Sequence, residues 1–364
     1  MKMKKGFTLI ELVVAVGILA MMLGFTSVIF NVSIKGARVV NANAEIMQKL
    51  RAITDQLDSD LLGLDKTAPL LIWFERGSNA QDDPNRFDQM MFFATGDFLS
   101  TQLYDSSGKP VTPADEDKET TNNRVIEGID ARIYYGQAQG SLVDKVADKP
   151  SKRILCRRRH ILTCDEDTEQ WPTWDSLSDF DISRNDSYEH DRLPLSSWKN
   201  VTEDTFIDVV NVVFGNRPGV KMGSPATYHN LLSESVASFK IQWAYWNADD
   251  DAKDDELRWF PSDDPDKDNI AAHSHFKING DNKFGVYFNI ADHTEDGFIS
   301  DNGNWYPIDD GNENKIVYNY KAPSNKFFED DFYPKALKFT FTIYDSKGVI
   351  ANGRTFTHIV DLGD

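Results

Sequence analysis

Two hydrophobic patterns follow one another at the start of the chain. From Phe7 to Ile34 the residues are apolar almost throughout, broken early by one carboxylate, Glu11. As a helix rising about 1.5 Å per residue this run spans about 42 Å, more than the roughly 30 Å of a bilayer's hydrocarbon core. Beyond Lys35 the apolar positions Val39, Ile46, Leu50, Ile53, Leu57 and Leu61 recur at helical spacing, with Arg38, Asn43, Glu45, Lys49, Arg51, Asp55 and Asp58 between them. No proline precedes Pro69. The pattern predicts one continuous helix, with residues 7–34 in a membrane or a helix bundle and residues 35–65 packed on a soluble domain. Gly17, Gly24 and Gly36 weaken it locally, each by up to about 1 kcal/mol against alanine in water.

After residue 65 the period changes from helical to strand-like. Gln89 to Ala94 and Asp130 to Tyr135 are short strand candidates, and Phe239, Ile241, Trp243 and Tyr245 alternate on one face of a half-buried strand. Phe284 to Ile290 and Lys315 to Tyr320 read similarly. Ala336 to Tyr344 alternates, turns at Asp345-Ser346-Lys347-Gly348 and returns through Arg354 to Leu362, a hairpin in which Gly348 supplies a positive φ. Helix first and strands afterwards is the order of an α+β domain with an antiparallel sheet against the helix.

The leader is basic, Lys2, Lys4 and Lys5, and ends at Gly6. A secretory signal is cut after its apolar stretch at small residues; no such site follows this one. The stretch Lys5-Gly6-Phe7-Thr8-Leu9-Ile10-Glu11-Leu12 instead resembles the processing signal of type IV prepilins and of the pseudopilins of type II secretion systems. That resemblance implies cleavage at Gly6/Phe7 by a prepilin peptidase, N-methylation of Phe7, and use of Glu11 in assembly. The residues point the same way. A carboxylate in an apolar run needs a partner, and the α-amino group of a new N-terminal Phe7 lies one helical turn from Glu11. Pairing with the amine of a neighbouring subunit, or snorkelling of Glu11 to the headgroups, are the other uses open to it.

Further along, Leu57-Asp58-Ser59-Asp60-Leu61, Arg124-Val125-Ile126-Glu127 before Ile133-Tyr134-Tyr135, Val236 to Ile241 followed by Trp243 and Trp246, and Tyr333 to Thr340 look like the minor pseudopilin J family of type II secretion. The chain is longer than that family's usual members, so residues 66–364 are expected to form a periplasmic β-rich domain with insertions at about 138–230 and 248–335. The absence of a proline midway through the apolar helix is unlike many filament-forming pilins and fits a minor subunit. The resemblance implies a single-pass inner-membrane protein, its N-terminus cytoplasmic and its bulk periplasmic, extracted into a short filament that it helps to initiate or cap. The implied partners are other minor and major pseudopilins, the peptidase, the inner-membrane assembly platform and lipid. A minor pilin of a type IV pilus, serving adhesion or DNA uptake, and a ligand-binding or enzymatic domain on a pilin-type anchor are the alternatives.

Charge sharpens the picture. The formal net charge is -19, and loss of the leader lysines leaves 36 basic against 58 acidic side chains, -22. Nucleic-acid binding needs a basic footprint that this balance lacks. Basic leader and acidic remainder obey the positive-inside rule.

The only cysteines, Cys156 and Cys164, flank Arg157-Arg158-Arg159-His160. They admit a disulfide closing a small loop, two thiols, or, with His160, a metal site. The arginines read as a solvated loop tip or as a basic patch that meets an acidic partner. Asp249-Asp250-Asp251, Asp263-Asp264, Asp301-Asn302-Gly303-Asn304 and Asp309-Asp310-Gly311-Asn312-Glu313 read as solvated acidic loops, and the oxygen ligands they carry would also suit calcium without matching EF-hand spacing. His273 and His275 are spaced for zinc in a polar loop, and His358 reads as a packed strand residue. Trp171, Trp174, Trp198, Trp259 and Trp305 read as core residues or a ligand surface. There is no G-x-S-x-G, P-loop or HExxH, so the expectation is a structural protein without catalytic residues or an obligatory cofactor.

Overall fold

A computed structural model describes residues 8–75, 86–105, 111, 124–138, 152–162, 188–191, 194–199, 218–220, 225–246, 257–260, 276–278, 283–288, 298–301, 304–307 and 333–363. One helix, α1 (Leu9–Leu62), runs unbroken for 54 residues. Its buried positions, Ala42, Ile46, Ile53, Leu57 and Leu61, repeat at helical spacing on one face, so only the second half of the helix is packed. Gly63 ends it, tucked against β2: a Cβ there would lie 2.5 Å from the Thr95 backbone oxygen.

Two antiparallel sheets wrap that packed half. The larger contains β1 (Leu70–Glu75), β2 (Gln89–Leu99), β3 (Glu127–Gln137), β4 (Ile154–Leu162), β5 (His190–Asp191), β6 (Leu231–Glu234), β9 (Phe276–Ile278) and β10 (Lys283–Phe288), in the order β5-β4-β3-β2-β1-β10-β9 with β6 also on β4. All its pairs are antiparallel except β4 with β5. The smaller sheet has the order β14-β13-β7-β8, from β7 (Val236–Trp246), β8 (Leu257–Phe260), β13 (Ala336–Ile343) and β14 (Arg354–Asp361). A hairpin of β11 (Phe298–Asp301) and β12 (Asn304–Pro307) stands apart.

The sheets meet where Arg86-Phe87-Asp88 lies against β7. Asp88 N–H donates to the Phe239 carbonyl at 2.7 Å, and Phe239 N–H to the Arg86 carbonyl at 3.1 Å. The Asp88 carboxylate, gripped by Arg86 at 2.6 and 2.7 Å, also accepts the Ile241 N–H at 2.8 Å. One core results: Ile46, Ile53, Leu57 and Leu61 of α1 pack with Ile72, Phe92 and Ile133 of one sheet and Phe239, Phe339 and Phe341 of the other. The α+β architecture expected from the helix-then-strands order is the one observed, and it is consistent with the pilin-like fold that the resemblance implies.

The far face of the larger sheet is covered too. A short helix, α2 (Leu195–Lys199), lays Trp198 on Phe93, ring centroids 5.2 Å apart. Burial on both faces accounts for Leu70 to Trp73 of β1, four successive apolar residues that are all buried.

Several expectations need correcting here. Arg157, Arg158 and Arg159 are not a solvated loop tip but the middle of β4, and Arg158 is buried. Cys156 lies in the same strand, its thiol donating to the Gly136 carbonyl at 3.1 Å. The strand is extended to Leu162. Cys164, the other half of the disulfide, thiol or metal readings, lies outside the described residues. Of the ranges expected as insertions, 138–230 contains β4, which pairs with β3, β5 and β6, and 248–335 contains β10, which pairs with β1. The turn expected at Asp345-Ser346-Lys347-Gly348 is present, with Gly348 at φ 66° donating its N–H to the Asp345 carbonyl at 3.2 Å, and it forms part of a ten-residue connection between the two strands. The strand expected at Lys315 to Tyr320 lies outside the described residues.

Candidate functional site

Among the described residues none buries the first half of α1. Leu9, Ile10, Val13, Leu19, Phe25, Ile29 and Phe30 are all exposed, and the first buried residue on the helix is Ala42. At 1.5 Å per residue, Leu9 to Asn41 projects about 50 Å from the head. Such an apolar surface is stable only in lipid or against other apolar helices. Length and composition make α1 a candidate membrane span. The helix's own backbone satisfies Thr26, whose hydroxyl donates to the Met22 carbonyl at 2.8 Å.

Thr8 caps the helix start. Its hydroxyl accepts the Glu11 N–H at 3.4 Å, and the Glu11 carboxylate accepts the Thr8 N–H and the Thr8 hydroxyl, each at 2.9 Å. This reciprocal capping box meets donors that a helix start leaves open. It also folds the carboxylate of Glu11 back toward residue 8, one residue from Phe7. Gly6 and Phe7 lie outside the described residues.

Three sets of contacts fasten α1 to the head. Near the point of entry, Glu45 accepts the Ser346 N–H at 2.8 Å and its hydroxyl at 3.1 Å, while Lys49 pairs with Glu45 at 2.8 Å and donates to the Tyr344 carbonyl at 3.1 Å. Burial works to raise the Glu45 carboxyl, but the Lys49 ammonium and the Ser346 N–H outweigh it and hold the group below its ordinary range. Midway, His358 of β14 meets Asp58 at 2.7 Å. Near the end, buried Asp60 takes both donors of the Arg157 guanidinium, the Tyr135 hydroxyl, and the Gln56 amide at 3.0 Å. Burial first, and then the Asp60 charge, push the Tyr135 hydroxyl well above its ordinary value, so it stays a donor.

A second polar cluster lies on the far face of the larger sheet. Glu189 binds the Thr101 hydroxyl and N–H and, at 3.1 Å, the Gln102 amide; Tyr104 accepts the Glu189 N–H at 2.8 Å. Arg132 sits 3.2 Å from His160 Nδ1, 3.5 Å from Asp191 and over the Trp198 ring at 5.0 Å. Since Arg132 only donates, His160 Nδ1 is the acceptor and the ring is neutral. Burial first, then the neighbouring cations, hold His160 well below its ordinary value; burial, then Arg124, takes His190 to about 3. These groups join strands to the segments that cross them. Among the described residues no group of three or more His, Cys, Asp or Glu is placed to hold a metal.

Of the residues singled out in the sequence, Glu11 stands at the free end of the helix, Cys156 and His160 are buried in β4, and His358 faces α1. Asp301 and Asn304 sit at facing ends of β11 and β12. Trp198 is core, and Trp259 lies under Lys338 at 4.8 Å. Cys164, His273, His275, Trp171, Trp174 and the remaining acidic loops lie outside the described residues. Sequence reasoning missed the Asp60–Arg157–Tyr135 clamp, because nothing local marks a buried aspartate whose partner is 97 residues away.

A family model described as the prokaryotic N-terminal methylation motif matches residues 1–27. The match covers the basic leader, the Gly6-Phe7 junction, Glu11 and the start of α1. Together with the free apolar half of the helix and the antiparallel head, it supports a type IV pilin-like, prepilin-type protein with a single-pass membrane anchor. Neither a curated protein nor a solved structure matches the chain.

Proposed function

We propose that the chain is a minor pseudopilin-like structural subunit that helps initiate or cap a short periplasmic filament of type II secretion. The observation that carries this reading is the division of α1: its capped apolar half is bare, while its second half is fastened to the head at Glu45, Asp58 and Asp60. A rod so divided inserts in the inner membrane and, once drawn out, buries the same surface against parallel helices. Cleavage at Gly6/Phe7 creates an α-amino group, N-methylated on Phe7, close to the Glu11 carboxylate. Within one chain the pair neutralises a charge in an apolar setting; between neighbours it sets axial register. The partners are other minor and major pseudopilins, the prepilin peptidase, the assembly platform and lipid, with no nucleic acid, catalysis or cofactor in the role. The absence of proline from Phe7 to Leu62 favours a minor subunit.

The test compares Glu11→Ala with the parent chain in its own envelope. The variant is expected to insert and be cleaved normally while its recovery in helix-to-helix crosslinks falls at least about tenfold, since removing one partner of a buried charge pair costs about 3–5 kcal/mol and each 1.4 kcal/mol is tenfold. Undiminished recovery would overturn the role given to Glu11.

A further inference from the structure

The outer edge of β14 ends the smaller sheet along the head. The direction of the strand follows from its contacts with α1. Glu45 meets Ser346 just before β14 begins, Asp58 meets His358 within it, and Lys66, just past the helix, donates to the Gly363 carbonyl at 3.0 Å just past the strand. Strand and helix therefore run side by side in the same direction, away from the bare apolar half.

The hydrogen-bond phase is fixed as well. Leu362 N–H donates to the Lys335 carbonyl at 2.8 Å, and the ladder pairs Leu337 with Val360, Phe339 with His358 and Phe341 with Phe356. In an antiparallel ladder bonded and non-bonded pairs alternate, so the even-numbered residues of β14 spend their backbone groups on β13. The N–H and C=O groups of Thr355, Thr357, Ile359 and Asp361 point outward. The Thr342 and Thr355 hydroxyls, 3.0 Å apart, show the close side-chain approach of a non-bonded pair. Among the described residues no strand pairs with this edge. Thr355, Thr357 and Asp361 are exposed, and Ile359 is 53% exposed. The stretch from Thr355 to Val360 has none of the lysines, prolines or bulges that blunt an open edge.

We propose that this edge receives an extended segment of a different membrane-anchored subunit, extending the smaller sheet across the subunit boundary. The partner strand carries an acidic residue beside Arg354, at the membrane-proximal end, a basic residue beside Asp361, at the distal end, and an apolar residue on Ile359. A second copy paired edge to edge does not fit. Antiparallel pairing would point the two α1 helices, and so their anchors, in opposite directions. Parallel pairing about a twofold would set each outward N–H level with its own counterpart, donor against donor. The choice of an anchored partner rests on the assembly reading above; the edge itself does not.

The test places a benzophenone amino acid at Ile359, and separately at Val16 on the bare helix, in the full chain in its own envelope. The expected result at Ile359 is an adduct with an extended segment of another polypeptide that has its own N-terminal methylation-type helix. Thr357→Pro removes only an outward donor, which an edge strand tolerates, and is expected to lower that adduct about tenfold. Thr357→Val keeps the donor and should leave it intact. Arg354→Glu with Asp361→Lys, which leaves the backbone alone, should lower it similarly. No adduct at Ile359, an adduct with a second copy, or one with a polypeptide lacking such a helix overturns the proposal. An adduct at Val16 without one at Ile359 rejects the edge alone, whereas an adduct at Ile359 without one at Val16 rejects the bundling of helices instead.

Discussion

Arg157 of β4 grips Asp60 of α1 through both carboxylate oxygens, beside the core, and so fastens the helix to the β4 side of the larger sheet. Tyr135 and Gln56 complete the shell of the same carboxylate. Removing one partner of a buried pair leaves the other charged and unpaired. Arg157→Met is therefore expected to destabilise the head by about 3–5 kcal/mol, whereas Arg157→Met with Asp60→Leu should cost clearly less. Denaturant midpoints of the four proteins in detergent measure the cycle, and equal costs for single and double variants would contradict the coupling.

Acid should loosen the far face of the larger sheet. His190 packs edge-on against Tyr104 at 4.9 Å and is neutral, its value taken to about 3 by burial and by Arg124. Unfolded, it titrates near 6.5, so below that pH the unfolded chain binds the extra proton and stability falls with pH until about 3. The loss is about 1.4 kcal/mol per pH unit for each such histidine, or about 2 kcal/mol by pH 5. His160, held low by burial and then by Arg132, adds to the same slope. Melting temperatures between pH 7.5 and 5 measure it, and His190→Phe is expected to flatten the curve.

Gly63 is a close-approach position rather than a turn requirement, since its φ of -90° suits any residue. A Cβ would sit 2.5 Å from the Thr95 carbonyl oxygen, and both partners are backbone. Gly63→Ala is expected to cost about 1–3 kcal/mol through a shift of the helix end against β2. Gly36→Ala, with open space around it, should instead favour the helix by up to about 1 kcal/mol. Urea unfolding and helical circular dichroism separate the two.

The long helix was legible because its apolar positions keep one period and no proline interrupts it. The β13–β14 hairpin was legible because only one face of each strand is buried, which preserves alternation. β4 was not. Arg157 and Arg159 alternate with Arg158 and His160 along it, and the partners of Arg157, Arg159 and His160 come from α1, β2, β3 and the segment ending at Asp191. Charges satisfied that far along the chain look locally like a loop. β1 was hidden for the opposite reason, since burial on both faces erases its period. Glu11 could be singled out from its apolar surroundings, while its bond to Thr8 became visible only with the helix start in place.

The central claim is that the basic leader is removed and the apolar rod kept. Intact mass and N-terminal fragmentation of the protein purified from its own inner membrane test it most directly. A chain beginning at N-methylated Phe7 and retaining residues 7–34 is the predicted result; a chain still beginning at Met1, or one that has lost the rod, would contradict the account.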